Sequence, residues 1–137
     1  MPLVGKESAM KLKQASDIMT HPVITVRPDI HLTDAIKLLL RHHISGLPVV
    51  GADGRLVGII TEHDIMNLTL SGSAEDTTVE ETMTREVITF PPDADLATLA
   101  ACLAGKRIRR VPIIEKGALI GIVSRRDILR EVLSLYA

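Results

Sequence analysis

The hydrophobic and polar positions of this chain follow two periods, and segments with the two periods alternate. Short apolar runs predict strands, whereas apolar positions three and four residues apart predict helices. The first half of the chain yields a strand, a helix, two strands and a second helix, at residues 23–26, 33–43, 47–50, 56–60 and 61–70. Asp53-Gly54 is typical of a tight turn, so we expect the second and third strands to form a hairpin.

The same order of elements returns in the second half because the sequence itself repeats. Residues 18–66 align with residues 82–129, and the second copy is one residue shorter in its turn. Identical pairs are spread over the whole copy and include Met19/Met83, Thr25/Thr89, Pro28/Pro92, Ile44/Ile108, Pro48/Pro112, Gly58/Gly121 and Asp64/Asp127. The second copy is predicted to hold its elements at 87–90, 95–107, 111–114, 119–123 and 125–135. Similarity of this extent indicates a duplicated fold.

The repeat predicts the domain organisation. A lead-in, a first repeat, a linker and a second repeat are assigned to residues 1–14, 15–70, 71–78 and 79–137. One copy is near the size at which a core becomes marginal alone, so we expect the two copies to pack together. The predicted fold class is α/β (α+β), with two tandem β-α-β-β-α repeats related by pseudo-two-fold symmetry. Clefts at such interfaces are favoured positions for ligands.

Composition and charge narrow the class of protein. Of the 137 residues, 46% are hydrophobic and 24% are charged, which is typical of a globular protein and excludes a disordered chain. Sixteen basic and seventeen acidic residues give a net charge of −1, so no overall field attracts nucleic acid or an anionic membrane. The sequence has neither a membrane-spanning apolar stretch nor the layout of a signal peptide, and we expect a cytoplasmic protein.

Residue types that carry catalysis or metal binding are sparse or badly spaced. Cys102 has no second thiol for a disulfide or a structural zinc site, and it lies on the apolar side of its predicted helix. His42 and His43 are adjacent, so on a helix they diverge by about 100° and cannot easily share a metal ion. No P-loop, nucleophile–histidine arrangement or paired carboxylate occurs in the sequence. We predict a protein without enzyme activity, catalytic residues, catalytic cofactor or metal site.

One motif occurs at the same place in both copies and offers a specific chemistry. A hydroxyl follows a glycine and two apolar residues, and a carboxylate comes three residues later: Thr61 with Asp64, and Ser124 with Asp127. A carboxylate can accept from both hydroxyls of a vicinal diol, and free N–H groups in the first turn of a helix suit a phosphate. The alternative is structural, because this spacing also forms a helix capping box. The two roles are compatible.

The segments around these motifs resemble the CBS (cystathionine-β-synthase-type) domain. In the first copy the resemblance rests on Ile44-Ser45-Gly46-Leu47-Pro48-Val49-Val50 and Gly58-Ile59-Ile60-Thr61-Glu62-His63-Asp64-Ile65. In the second copy it rests on Ile108-Arg109-Arg110-Val111-Pro112-Ile113-Ile114 and Gly121-Ile122-Val123-Ser124-Arg125-Arg126-Asp127-Ile128. The resemblance implies a tandem CBS pair, or Bateman module, which is a regulatory sensor that binds AMP, ADP, ATP or a related adenosyl compound without turnover.

The resemblance also implies which residues surround the ligand. Pre-proline segments line the base, first-strand aliphatic residues sandwich it, and the hydroxyl–carboxylate pairs hold the ribose. The first site comprises Val23, Ile24, Ile44, Ser45, Gly46, Pro48, Thr61, Asp64, Arg109 and Arg110. The second site comprises Val87, Ile88, Ile108, Arg109, Arg110, Pro112, Ser124 and Asp127. For each aliphatic residue, a place in the strand core is the alternative. Phe90 and Tyr136 are the only aromatic residues, so stacked rings cannot hold the base.

The two copies differ in the charge that they offer to a phosphate. Arg109 and Arg110 stand where the first copy has Ser45 and Gly46. By family geometry these arginines serve the ligand whose ribose Asp64 holds, which predicts that the Thr61/Asp64 site is the stronger one. Alternatively, Lys106, Arg107, Arg109 and Arg110 form a solvated helix end beside the C-terminal dipole.

Two other functions stay open at the level of the sequence. One is a ligand-free module for dimerisation or protein docking, which Arg110 in place of a small residue favours. The resemblance implies a homodimer formed through apolar residues of the second helices: Ile65, Met66, Leu68, Leu129, Val132 and Leu133. The other is nucleic-acid binding through Arg107, Arg109, Arg125 and Arg126, against which the neutral charge and scarce aromatics argue. A regulated target protein is a further expected partner.

Overall fold

The computed structural model describes residues 13–71, 76–106 and 108–136. Its helices and strands are, in chain order, α1 (Ala15–Ile18), α2 (Leu32–His42), β1 (Gly46–Val50), β2 (Leu56–Thr61), α3 (Glu62–Ser71), α4 (Val79–Thr82), α5 (Leu96–Lys106), β3 (Arg110–Glu115), β4 (Ala118–Ser124) and α6 (Arg125–Tyr136). The α/β fold class is confirmed, and the long helices and both hairpins lie where the hydrophobic pattern predicts them. Most of the predicted lead-in and part of the predicted linker, at 1–12 and 72–75, lie outside the described residues.

The first of two compact units consists of the described residues of 24–87. Strands β1 and β2 form an antiparallel hairpin in which Gly46 lies opposite Thr61. Gly54 in the turn has a φ of 80°, in the left-handed region that glycine adopts without strain. The buried core of this unit consists of Val26, Leu32, Ala35, Leu39, Leu47, Val49, Ile60, Val79 and Met83.

The second unit combines the described residues of 1–23 with those of 88–137. Strands β3 and β4 form an antiparallel hairpin in which Arg110 lies opposite Ser124. Its shorter turn places Lys116 and Gly117 at φ values of 52° and 82°. Its buried core consists of Ala15, Leu96, Leu99, Leu103, Val111, Ile113, Val123 and Ile128.

Each unit contains a segment from the other copy of the sequence repeat. Thr20, from the first copy, exchanges backbone hydrogen bonds of 2.8 and 3.1 Å with Ile122 of β4. Thr84, from the second copy, exchanges bonds of 2.8 and 2.9 Å with Ile59 of β2. The four-residue helices α1 and α4, which the sequence pattern did not predict, directly precede these contacts. The segments that pack as one unit are therefore not the segments that form one sequence repeat.

The strands predicted at 23–26 and 87–90 are wrong as strands, because each is reduced to a single parallel bridge. Val26 donates to the carbonyl of Pro48 at 3.1 Å and accepts from Val50 at 2.9 Å. The next bond on one side would need an N–H from Pro48, and the next on the other side an N–H from Pro28, and proline has none. Phe90, Pro112, Ile114 and Pro92 repeat this arrangement in the second unit.

Candidate functional site

The Thr61–Asp64 pair lies at the junction of β2 and α3 in the first unit. The Thr61 N–H and hydroxyl both donate to Asp64 Oδ2, at 3.0 and 2.9 Å. The Asp64 N–H in turn donates to Thr61 Oγ1 at 3.2 Å. These reciprocal bonds form the helix cap that was the structural alternative for this motif.

The Ser124–Asp127 pair forms the same cap at the junction of β4 and α6. The Ser124 N–H and hydroxyl donate to Asp127 Oδ2 at 2.8 and 3.0 Å, and the Asp127 N–H donates to Ser124 Oγ at 3.2 Å. In both units the cap therefore uses one oxygen of the carboxylate. The other oxygen is available to further partners.

The second carboxylate oxygen is the point at which the two units differ. Asp64 Oδ1 accepts a hydrogen bond of 3.0 Å from the Thr84 hydroxyl. Asp127 Oδ1 accepts from the Thr20 hydroxyl at 3.4 Å and, at 2.9 Å, from the guanidinium of Arg130. The Asp127 side chain is only 7% exposed, whereas that of Arg130 is 70% exposed. Asp127 is therefore a buried carboxylate with an ion pair on its outer side.

The pre-proline segments lie beside these pairs, but part of their backbone is already used by the fold. The Glu62 N–H donates to the Ser45 carbonyl at 2.9 Å. In the second unit the Arg125 N–H donates to the Arg109 carbonyl at 3.0 Å, and the Arg125 side chain donates to the Ile108 carbonyl at 2.9 Å. These three carbonyls hold the start of the following helix, so a ligand would share them with the fold.

The aliphatic residues predicted to sandwich a base divide into exposed, half-buried and buried ones. Ile24 is 38% exposed and Ile88 is 41% exposed, so neither is a core residue. Pro48 and Pro112 are fully buried. The half-buried members are Val23, Ile44, Val87 and Ile108. The surface that a base could reach is therefore concentrated on the two isoleucines.

The predicted cations belong to the second unit. Arg109 is exposed, and Arg110 is half-buried in β3 opposite Ser124. Arg107 lies outside the described residues. That Arg109 and Arg110 bind the phosphate of the ligand held by Asp64 stays a prediction.

Three of the six apolar residues predicted to form a homodimer surface are exposed. Met66, Leu129 and Leu133 are 58%, 65% and 69% exposed. The other three, Ile65, Leu68 and Val132, pack against the cores of their own units. Two exposed apolar residues that the prediction omitted, Leu70 and Tyr136, are 87% and 55% exposed. The second long helix of each unit, α3 in the first and α6 in the second, thus carries exposed apolar residues.

Other candidate chemistry is not assembled in the described part of the chain. Within it, no three His, Cys, Asp or Glu side chains are grouped as a metal ion would require. Cys102 is half-buried and packs against the core of the second unit. None of the helices in the described ranges is both long and apolar enough to cross a bilayer.

Sequence reasoning missed Thr20, Thr84 and Arg130, whose side chains contact the two carboxylates. Thr20 and Thr84 follow the repeated methionines Met19 and Met83, so the repeat alignment marks the pair without indicating its partner. Arg130 aligns with an asparagine in the first copy, and that difference was the available signal.

A duplicated unit of hairpin and helices, with a capped carboxylate at each strand–helix junction, defines a tandem two-repeat module. The family model of the CBS domain matches residues 15–71 and 79–134. The chain belongs to the CBS domain family. It is 33% identical over 118 residues to the CBS domain-containing protein YhcV of Bacillus subtilis, covering 85% of this chain and 84% of that protein.

Solved structures of similar chains contain adenosyl compounds. One is CBSX2 in complex with AMP, with 26% identity, a TM-score of 0.81 and coverage of 90% of this chain and 98% of that one. Another is the CBS domain pair of protein MJ0100 in complex with 5′-methylthioadenosine and S-adenosyl-L-methionine, with 35% identity, a TM-score of 0.79 and the same coverage.

Some similar proteins are much longer. Inosine-5′-monophosphate dehydrogenase of Methanocaldococcus jannaschii is 36% identical over 122 residues, which are 87% of this chain but 23% of that enzyme. The chain likewise spans 41% of the uncharacterized protein MJ1225 and 22% of the L-aspartate semialdehyde sulfurtransferase of the same organism.

Proposed function

We propose that this chain is a regulatory module that binds an adenosyl compound without converting it. The observation that carries the proposal is the capped carboxylate of Asp64 at the strand–helix junction, whose Oδ1 is not used by the cap. The complexes of similar CBS pairs with AMP, and with methylthioadenosine and S-adenosylmethionine, support the ligand class. These ligands share adenine and ribose and differ in the group at the 5′ position, so the shared recognition is that of the nucleoside.

Asp64 binds the ribose in this proposal. Its cap uses Oδ2 twice, and Oδ1 accepts one bond from Thr84. A vicinal diol donates two hydrogen bonds, and an ionised carboxylate is the acceptor that such a pair of donors prefers. Capping and ribose binding are therefore two uses of the same side chain by different oxygens.

Ile24 contacts the base of the first site in this proposal, and Ile88 has the matching place in the second site. Both are exposed, and each comes from the extended segment before the first long helix of its repeat. Contact with a planar purine would remove their apolar surface from water, which stabilises the complex by about 25 cal/mol per Å². The chain contains no tryptophan, and aliphatic contacts replace ring stacking.

Arg109 and Arg110 set the preference at the 5′ position. A phosphate carries negative charge and several acceptor oxygens, which a guanidinium binds with charge-assisted hydrogen bonds. We therefore propose that AMP, ADP or ATP binds more tightly than S-adenosylmethionine, whose sulfonium is cationic. Binding shifts the module toward one of its conformations, which a target protein then recognises.

Isothermal titration calorimetry with AMP, ADP, ATP, S-adenosylmethionine and GTP tests the proposal. We expect an adenine nucleotide to bind the wild type, GTP to bind weakly, and Asp64→Asn to lose the binding. Asp53→Asn removes an exposed turn carboxylate and is the matched control, which should bind as the wild type does. Failure of every adenosyl compound to bind would overturn the proposed function.

A second measurement separates the phosphate contact from the nucleoside contact. Arg109→Gln with Arg110→Gln should weaken AMP more than methylthioadenosine, because only AMP carries the phosphate. Equal weakening of both ligands would show that the arginines do not serve the 5′ group. An unchanged affinity for AMP would support the alternative in which they form a solvated helix end.

A second candidate function is self-association through the second long helix of each unit, α3 and α6. The observation that favours it is the exposed apolar strip of Leu129, Leu133 and Tyr136 on α6, with Met66 and Leu70 on α3. Light scattering should give a dimer for the wild type and a monomer for Leu133→Asp with Leu70→Asp. A dimer that binds no adenosyl compound would establish the ligand-free interaction module instead of the sensor.

A further inference from the structure

The two capped carboxylates differ in how many further hydrogen bonds they can accept. A carboxylate oxygen has two lone pairs, so one carboxylate accepts about four strong bonds. Asp127 Oδ2 accepts from the Ser124 N–H and hydroxyl, and Oδ1 accepts from Thr20 and Arg130. Each oxygen of Asp127 thereby has two donors from its own unit, of which the Thr20 hydroxyl, at 3.4 Å, is the weakest.

Asp64 keeps an open position. Its Oδ2 accepts from the Thr61 N–H and hydroxyl, as in the other unit. Among the described residues, its Oδ1 accepts only from Thr84. One lone pair of Oδ1 is therefore open, and release of the neutral Thr84 hydroxyl would open the second.

One substitution between the copies accounts for this difference. Arg130 follows Asp127 by three residues on α6, and its guanidinium donates to Oδ1 at 2.9 Å. The residue three positions after Asp64 on α3 is Asn67, which has no charge. A cation paired with a carboxylate that is 7% exposed competes directly with an incoming hydroxyl, because both need the same oxygen.

We propose that Arg130 closes the second carboxylate against a ribose diol, so that the chain binds one adenosyl ligand, at Asp64. This inference rests on the proposed function and adds the residue that decides which copy binds. Arg130 is a specificity-determining residue in this account, and Asn67 is its permissive counterpart. The assignment is independent of Arg109 and Arg110, because it concerns the ribose and not the phosphate.

The test exchanges the two residues and counts binding sites by calorimetry with AMP. The wild type should bind one AMP per chain, and Arg130→Asn should bind two. The new site should be at least about tenfold tighter than any second binding to the wild type, since a charge-assisted bond no longer has to be broken. Asn67→Arg should weaken the first site by about tenfold for the converse reason.

Arg126→Asn is the matched control, because it removes an exposed arginine from the same helix without touching Asp127, and it should keep one site. Thermal unfolding without ligand checks that each variant is folded. If Arg130→Asn does not fold, Asn67→Arg, at an exposed position, still decides the question.

Each other outcome contradicts the inference in a recognisable way. Two equivalent sites in the wild type, or one site in both the wild type and Arg130→Asn, overturns it and leaves the proposed function intact. Loss of AMP binding in Arg130→Asn overturns it by making Arg130 a ligand contact. Absence of binding in all four proteins overturns the proposed function, and this inference with it.

Discussion

Asp64 and Asp127 occupy the same place in two copies of one fold, yet the first accepts three hydrogen bonds from the described residues and the second accepts four. The bonds that are the same come from residues three positions away and from the repeated threonines. The bond that differs comes from Arg130. Duplication thus supplies the cap twice, while one side chain on the next turn of the helix decides how much acceptor capacity remains.

The comparison separates two uses of a carboxylate. Asp127 is buried and has two donors on each oxygen, which suits a residue that stabilises the start of its helix. Asp64 is half-buried and retains acceptor capacity, which suits a residue that binds a ligand.

The largest effect should come from the equivalent core leucines, and it should be equal in the two units. Leu32 and Leu96 begin the first long helix of each repeat, and both are fully buried. Replacement of either by alanine should lower the free energy of unfolding by about 3 kcal/mol, because a cavity remains. Urea denaturation measures the loss. Losses of unfolding free energy that differ by more than about 2 kcal/mol between the two variants would show that the two cores are not equivalent.

The repeated glycines of the hairpins should give the next largest effect and the first asymmetry. A Cβ on Gly58 would lie 2.8 Å from the Thr84 carbonyl oxygen and 2.7 Å from Met83 Sδ. The three nearest atoms to a Cβ on Gly121 all belong to the Met19 side chain, whose Cγ and Sδ can move by a change of rotamer while its Cβ, at 3.1 Å, stays in place. Gly58→Ala should therefore cost about 2 kcal/mol and Gly121→Ala about 1 kcal/mol.

Gly105→Ala is the control for that pair. A Cβ placed there has no atom within 4 Å apart from those of its chain neighbours and of its own helix backbone, and the residue is in α5. Alanine should stabilise the helix there by up to about 1 kcal/mol. An equal loss of stability in Gly58→Ala and Gly121→Ala would show that the Thr84 carbonyl is not what makes a Cβ at position 58 unfavourable.

Local sequence patterns predicted the parts of the fold that are decided by local interactions. The long helices follow from apolar spacing, and the first hairpin follows from Asp53-Gly54. The sequence pattern predicted a first strand in each copy and did not predict its reduction to a single bridge, because the missing hydrogen bonds depend on the neighbouring strand. Pro48 is compatible with its own strand, but it withholds the N–H that the neighbouring segment would need. The exchange of segments between the copies depends on contacts such as Thr20 with Ile122, which no local pattern reveals.

The contacts of the candidate site likewise divide into those that local sequence predicts and those that only the fold brings about. The contacts of Thr61 with Asp64 and of Ser124 with Asp127 were predictable, because residues three apart meet in the first turn of a helix. The donors to the outer oxygens were not predictable. Thr84 is 20 positions from Asp64 and Thr20 is 107 from Asp127, so only the fold brings them together.

The two aspartates should separate stability from binding. Asp127→Ala leaves the Ser124 N–H and the Arg130 guanidinium without their acceptor, and it should cost about 1.5 kcal/mol of unfolding free energy. Asp64→Ala should cost about 1 kcal/mol, because fewer donors lose a partner and the site is more exposed. Thermal unfolding without ligand measures both losses.

In AMP titration the order should reverse, with binding lost in Asp64→Ala and kept in Asp127→Ala. Equal stability losses together with equal binding losses would mean that the two carboxylates are interchangeable. That result would contradict the assignment of a binding role to Asp64 and a stabilising role to Asp127.

The smallest effect concerns the way in which each unit closes the end of its first long helix. In the first unit His43 ends α2 with a φ of 53°, and its N–H donates to carbonyls of the last turn. In the second unit the equivalent of His43 lies outside the described residues, and the Arg125 side chain donates to the Leu103 and Ile108 carbonyls at 3.4 and 2.9 Å. Arg125→Ala should cost about 0.5 kcal/mol, because the side chain is exposed and water replaces part of its bonds. His43→Gly should instead raise stability slightly, because glycine adopts a positive φ without strain. Opposite signs in chemical denaturation would establish that His43 carries backbone strain, whereas the Arg125 side chain contributes stabilising hydrogen bonds.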